Sequence, residues 1–208
     1  KNEKVKKIFI APGNAGVELL PKAENVVLEN DIAKYAEFAK ENNIDLTVVG
    51  SEELLVAGIV DEFRKNGLKI FGPDKKAAIL EGSKAYSKEF MKKYGIRTAA
   101  YEIFEDAEKA KDFLREWKDF PVVVKASGLA AGKGVIIAQS LEEAVKAVED
   151  IMIDSKFGSA GNQVVIEEFL EGVEASILSF TDSKVIVPLL SAKDHKKIGE
   201  NETGLNTG

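Results

Sequence analysis

Val122-Val123-Val124-Lys125-Ala126-Ser127-Gly128-Leu129-Ala130-Ala131-Gly132-Lys133-Gly134-Val135, continuing into Ile136-Ile137-Ala138, is the stretch whose reading decides the fold. A β-branched apolar run enters a turn of small residues and a second apolar run leaves it, the pattern of two strands joined as a hairpin. Glycines at 128, 132 and 134 let backbone N–H groups approach an anion closely, while Lys125 and Lys133 put positive charge at either end of the turn. The segment reads either as a phosphate grip or as an ordinary hairpin loop that contains lysine. It is not a Walker turn: three residues rather than four separate Gly128 from Gly132, Gly134 follows the lysine, and a strand comes next. A Rossmann G-x-G-x-x-G is absent from the chain.

Outward from this turn, short apolar runs alternate with longer amphipathic ones, which predicts strands crossing over through helices into a parallel sheet. Strands are expected at 7–11, 26–28, 46–49 and 69–71. Helices are expected from Asp31, as a cap, to about Asn43, and over 54–65. Ile32, Tyr35, Ala36 and Ala39 mark one buried helix face. Residues 74–94 read as helix interrupted at Glu81-Gly82-Ser83, followed by a helix over 107–117. Ser140-Leu141-Glu142-Glu143 is a capping box that opens a helix to about Ile153. A loop at 157–162 and strands at 163–169 and 175–180 complete the pattern. Asp194 to Gly208 shows no apolar period and reads as a chain end that is cut rather than finished.

The 208 residues suit one or two domains, and 45% hydrophobic content is enough for a core. With 29 Lys+Arg against 35 Asp+Glu the net charge is −6, which argues against a nucleic-acid coat. Zero cysteines exclude disulfides, thiolate zinc sites and cysteine nucleophiles. No apolar run approaches ~18 residues and the first residues lack a signal-peptide pattern, so the expectation is a cytoplasmic protein with no membrane partner. His195 is the only histidine, too few for a triad or a histidine metal site.

Gly72-Pro73, Leu80-Glu81-Gly82-Ser83-Lys84, the Lys125–Gly134 turn, Ile166-Glu167-Glu168-Phe169-Leu170, Asp194-His195-Lys196-Lys197 and Thr203-Gly204-Leu205-Asn206-Thr207-Gly208 occur together and in this order. In this combination the chain resembles the phosphoribosylamine–glycine ligase family of the ATP-grasp superfamily along essentially its whole length. The resemblance implies an α/β protein: a partial Rossmann-like pre-ATP-grasp domain over 1–81, then part of an ATP-grasp fold over 82–208 with a lid subdomain at about 103–168. It implies ATP-dependent ligation of glycine to 5-phosphoribosylamine through a glycyl phosphate, with ATP and Mg2+ required and no protein nucleophile.

By the same resemblance Lys84 and Lys125 contact ATP phosphates, and Ser127, Gly128, Gly132, Lys133 and Gly134 fold over them. Glu167 and Leu170 match a hinge that reads adenine through backbone groups, and Glu174 matches an acid that binds ribose. Asp194, His195, Lys196, Thr203, Gly204 and Asn206 match a segment that approaches substrate and phosphates, and Gly13 and Asn14 a turn of the phosphoribosylamine pocket. Metal ligands are expected outside this segment. Without the resemblance, Lys84 reads as a solvated lysine, 164–174 as a strand ending in solvated acids, and Pro12-Gly13-Asn14 as a plain turn. Ser127 stands where the family usually has Asp, and Ser51, Arg97 and Leu205 where Pro is usual. The alternatives are another ATP-grasp carboxylate–amine ligase or carboxylase, or an inactive nucleotide-binding fragment.

Overall fold

The computed structural model describes residues 2–130, 132–195, 197–200 and 203–206, the side chains of Lys197, Leu205 and Asn206 excepted. The chain divides into two compact units, Lys1–Gly82 and Ser83–Gly208.

In the first unit, β1 (Ile8–Ile10) pairs in parallel with β2 (Ala23–Asn25). The unit continues through α1 (Ile32–Glu41), β3 (Thr47–Val48), α2 (Glu52–Ala57), α3 (Ile59–Lys65), β4 (Ile70–Phe71) and α4 (Lys75–Gly82), with β3 and β4 again parallel. Asp31 caps α1 by accepting from the Ala33 N–H at 2.8 Å, and Ala36 and Ala39 face Ile59, Val60 and Phe63 of α3, with Ile32 and Tyr35 at the rim. Two expectations are corrected here. The second strand lies at 23–25 rather than 26–28: Val26 only donates its N–H to Ile10 O, and Val27 is 88% exposed. Short apolar content marked the wrong residues because backbone pairing, not burial, fixes this strand. The helix expected over 54–65 is broken at Gly58, whose φ of +99° ends one helix and redirects the next.

The second unit contains α5 (Lys84–Lys93), β5 (Tyr101–Phe104), α6 (Ala107–Glu116), β6 (Val122–Ala126), β7 (Val135–Ala138), α7 (Leu141–Val148) and β8 (Val164–Glu168). A π-type turn over Glu149–Ile153 extends α7, and a 3-10 segment at Gly158–Asn162 replaces the expected loop. The sheet runs β5-β8-β6-β7, and every neighbouring pair is antiparallel. The hairpin read around the glycine turn is present, with Val122 opposite Ala138 and Lys125 opposite Val135. The parallel sheet expected from the alternating pattern is confined to the pairs of the first unit. In the second, β8 slots antiparallel between β5 and β6, a long-range pairing that local pattern does not encode. β5 also escaped the sequence reading, because four residues of Tyr-Glu-Ile-Phe are too short to show a period.

One face of this sheet is apolar and fully covered. Val122, Val124 and Ala126 of β6 and Val164 and Ile166 of β8 pack on Ala110 and Leu114 of α6 and on Ala144, Ala147 and Val148 of α7. Ser140 opens α7 by accepting from the Glu143 N–H at 3.3 Å, and the Glu143 carboxylate accepts from the Gln139 N–H, one residue before the usual capping-box donor. Beyond β8, β9 (Ser179–Thr181) pairs with β10 (Ile186–Pro188), and β11 (Lys197–Gly199) with β12 (Thr203–Asn206). The strand expected at 175–180 is therefore shorter and shifted, and within the 194–208 stretch, which shows no apolar period, Lys197–Gly199 and Thr203–Asn206 are held as strands by backbone pairing. Among the described residues no helix is long and apolar enough to cross a membrane.

Leu114 is fully buried between the sheet and α7. Leu114→Ala should lower unfolding free energy by about 2–5 kcal/mol, measured by urea denaturation, because the rigid sheet cannot collapse onto the vacated volume.

Candidate functional site

The opposite face of the same sheet is where the charges gather. Alternation along a strand sends Val122, Val124 and Ala126 to the core, so Val123 and Lys125 point the other way. Val123 lies opposite Glu167, which makes Lys125 a diagonal neighbour of that glutamate, and Tyr101 of β5 lies opposite Glu167 from the other side.

Glu167 is 3% exposed, and a carboxylate so buried needs charged partners. It has two. The Lys125 ammonium lies 2.5 Å from Oε1, an ion pair without hydrogen-bond alignment, and the Lys88 ammonium donates to Oε2 at 2.5 Å. Lys88 also donates to Thr98 Oγ1 at 2.7 Å and stands 5.4 Å from the Tyr101 ring centre. Two ammonium groups against one carboxylate leave a local excess of one positive charge. Lys88 was not singled out from the sequence: within a run that includes Lys84, Lys92 and Lys93 it looks like one more solvated lysine. The available signal was its spacing of four from Lys84, which puts both on one helix face.

That face of α5 also builds the base of the glycine turn. The Lys84 N–H donates to Ser127 O at 2.7 Å, and its ammonium donates to Gly128 O at 2.9 Å. Ser127 is buried, and its hydroxyl accepts from the Ala85 N–H at 3.1 Å while lying 3.3 Å from Ser83 Oγ. Ser83 itself caps α5 by accepting from the Tyr86 N–H. Ser127 thus shares in capping a helix N-terminus, a role that Ser and Asp side chains can both fill. Gly128 donates its N–H to Ala160 O, and a Cβ there would lie 2.7 Å from the Ala160 backbone, so this position excludes a side chain. Gly132 and Lys133 are exposed at the turn's tip, and Gly134 is buried at its return.

Leu170, 63% exposed, and Glu174, also exposed, follow β8. Asp194 and His195 are exposed ahead of β11; Thr203 begins β12 and donates from its hydroxyl to Glu200 O at 2.8 Å; Gly204 and the Asn206 backbone lie in the same strand. Lys196 lies outside the described residues. In the first unit, Gly13 takes a φ of +83°, and a Cβ there would collide with the Asn25 side chain. The Asn14 N–H donates to Asn25 Oδ1, the Asn25 amide donates back to Asn14 O, and Asn14 Oδ1 accepts from the Gly16 N–H. The turn is therefore rigid, with its side chains committed to holding it. The structure thus brings Lys84, Lys125, Ser127, Gly128 and Glu167 together around α5 and the central β6–β8 pair. Among the described residues no group of three His, Cys, Asp or Glu side chains could hold a metal ion.

Tyr101 donates to the Glu89 carboxylate at 2.8 Å; desolvation first and this bond second push its pKa from 10.0 up to about 12. Because the folded value is the higher, its stabilising contribution is present below the unfolded value and is lost as pH rises from 10.0 to about 12. In an ultraviolet absorbance titration, Glu89→Gln should move the latest tyrosinate transition to lower pH. An unchanged midpoint would count against this bond.

Residues 1–81 match the family described as Phosphoribosylglycinamide synthetase, N domain, and residues 82–208 the Phosphoribosylglycinamide synthetase, ATP-grasp (A) domain. The chain is 58% identical over 210 residues to a phosphoribosylamine–glycine ligase of Fusobacterium nucleatum, covering 100% of this chain and 48% of that protein. It is 52% identical over 208 residues to one of Clostridium acetobutylicum, covering 100% and 50%. It thus spans about half the length of the curated relatives it matches. The crystal structure of phosphoribosylamine–glycine ligase from Thermotoga maritima superposes with a TM-score of 0.77 at 36% identity, covering 97% of this chain and 47% of that one. A biotin carboxylase domain from Hydrogenobacter thermophilus shares the fold, with a TM-score of 0.61 at 24% identity over 76% of this chain and 37% of that one. Matched by both domain families in order along its full length, the chain belongs to the phosphoribosylglycinamide synthetase family and carries part of an ATP-grasp fold.

Proposed function

We propose that this chain supplies the nucleotide grip of a phosphoribosylamine–glycine ligase. The reaction joins glycine to 5-phosphoribosylamine, forming glycinamide ribonucleotide, ADP and phosphate. Glycine carboxylate attacks the γ-phosphorus of ATP with loss of ADP, and the amine then displaces phosphate from the glycyl phosphate. The observation that carries this reading is the charge imbalance at Glu167, where two lysines meet one carboxylate beside a glycine turn, in a chain that matches this family throughout.

Phosphoryl transfer asks a protein mainly for positioning and for positive charge fixed in advance, and both are at hand. Lys125 offers its ammonium to the phosphate chain from a rigid strand. The turn from Ser127 to Gly134, with Lys133 at its tip, lies over the phosphates as a lid within residues 103–168 and offers backbone N–H groups. Lys84 also contacts the phosphates, from the base of the turn, where its ammonium anchors Gly128 O. The backbone at Glu167 and Leu170 reads the adenine edge, and Glu174 takes the ribose hydroxyls. Asp194, His195, Lys196, Thr203, Gly204 and Asn206 approach the substrate, while Gly13 and Asn14 contribute to the phosphoribosylamine pocket. Magnesium accompanies ATP and offsets its charge; no residue of this chain is assigned as its ligand. The setting is the cytoplasm.

The full-length protein should release ADP only when glycine and phosphoribosylamine are both present, as measured by coupled ADP detection. Release that depends instead on bicarbonate or another amine would assign the chain to a different ATP-grasp reaction. Lys125→Ala should weaken ATP binding in calorimetry by roughly 1.5–3 kcal/mol, about 10- to 150-fold, the worth of a charge-assisted contact. Unchanged affinity would remove Lys125 from the phosphate site.

A further inference from the structure

A phosphate-binding lysine that is paired with a buried carboxylate faces a difficulty of charge. The ion pair Lys125–Glu167 taken alone is neutral, so it offers a polyanion little net attraction. Glu167 cannot shed this effect into solvent, since it is 3% exposed and hemmed in by the strands on both sides. Lys88 alters the balance. Its ammonium, in a side chain 9% exposed, donates to the far oxygen of the same carboxylate, and Thr98 takes a further hydrogen bond and fixes its direction. Lys125, whose side chain is 26% exposed, lies on the more open side of the group.

We infer that Lys88 is a positioning residue for the nucleotide site: by neutralising Glu167 from behind, it leaves Lys125 aimed by the carboxylate yet with its positive charge available to the triphosphate. This rests on the reading of Lys125 as a phosphate contact. Lys88 touches neither nucleotide nor substrate and acts through Glu167 alone. The purely architectural alternative makes Lys88 a plug under α5, needed for folding and indifferent to charge.

The two are separated by ATP calorimetry on the full-length enzyme, with thermal unfolding followed alongside. Lys88→Gln keeps a hydrogen-bond donor and removes the charge; it should weaken ATP binding about tenfold or more. In a Glu167→Gln background, where no carboxylate remains to be neutralised, adding Lys88→Gln should change affinity by less than about threefold, a coupling that a plug would not show. Lys88→Arg should stay near wild type. Wild-type affinity in Lys88→Gln, or a further loss of about tenfold on adding Lys88→Gln to Glu167→Gln, would overturn the inference. If Lys88→Gln alone does not fold, the comparison of Glu167→Gln with the double variant decides, with equal binding in favour and a loss of about tenfold against. Lys125→Ala separates the two layers of the argument: normal ATP binding there overturns the nucleotide reading and this inference together, whereas loss there with no effect at Lys88 overturns the inference alone.

Discussion

The buried carboxylate of Glu167 is the constraint around which the second unit is arranged. An ionised group with 3% exposure is tolerated only where its charge is met, and removing one partner of such a group costs about 3–5 kcal/mol. Meeting that charge requires β8 to lie antiparallel to β6, so that Lys125 falls on the diagonal from Glu167, and requires α5 to present Lys88 to the same sheet face. Buried ion pairs contribute little to stability compared with a well-packed apolar replacement. Their retention here makes sense as a means of placing charge, with stability coming from the apolar face on α6 and α7.

The same helix that braces the carboxylate also braces the glycine turn. Lys84 and Lys88 are one helical turn apart on α5; the first ties down Gly128 O and the second Glu167. Ser127 reinforces the arrangement by joining the cap of α5, so the base of the turn is fixed while its tip, at Gly132 and Lys133, is exposed. A bonded base with an exposed tip is the arrangement that the proposed phosphate lid calls for.

Much of this was legible in the sequence, and the limits are physical. The helices announced themselves through caps: Asp31 and Ser140 each accept the N–H that their position predicts, and Ser83 opens α5 after Gly82. The β6–β7 hairpin was legible because both strands are β-branched and local. β5 and the central place of β8 were not, since they depend on pairing with strands far away in sequence, as Tyr101 opposite Glu167 and Val124 opposite Ile166 illustrate. The second strand was misplaced because Val26-Val27-Leu28 is apolar yet lies past the paired residues. At the site, Lys125 stood out by following an apolar strand, whereas Lys88 was hidden among similar residues of an exposed-looking helix. Glu167 looked like a solvated acid because a run of Glu167 and Glu168 conceals that alternate residues of a strand face opposite ways, with only the first buried.

The most direct test of the account is a crystal structure of the full-length enzyme with a non-hydrolysable ATP analogue. The account predicts a phosphate oxygen within hydrogen-bond distance of Lys125 Nζ, backbone N–H groups of the Ser127–Gly134 turn directed at the phosphate chain, and Glu167 still held between Lys88 and Lys125. A nucleotide whose phosphates lie away from Lys125, with the glycine turn directed elsewhere, would contradict it.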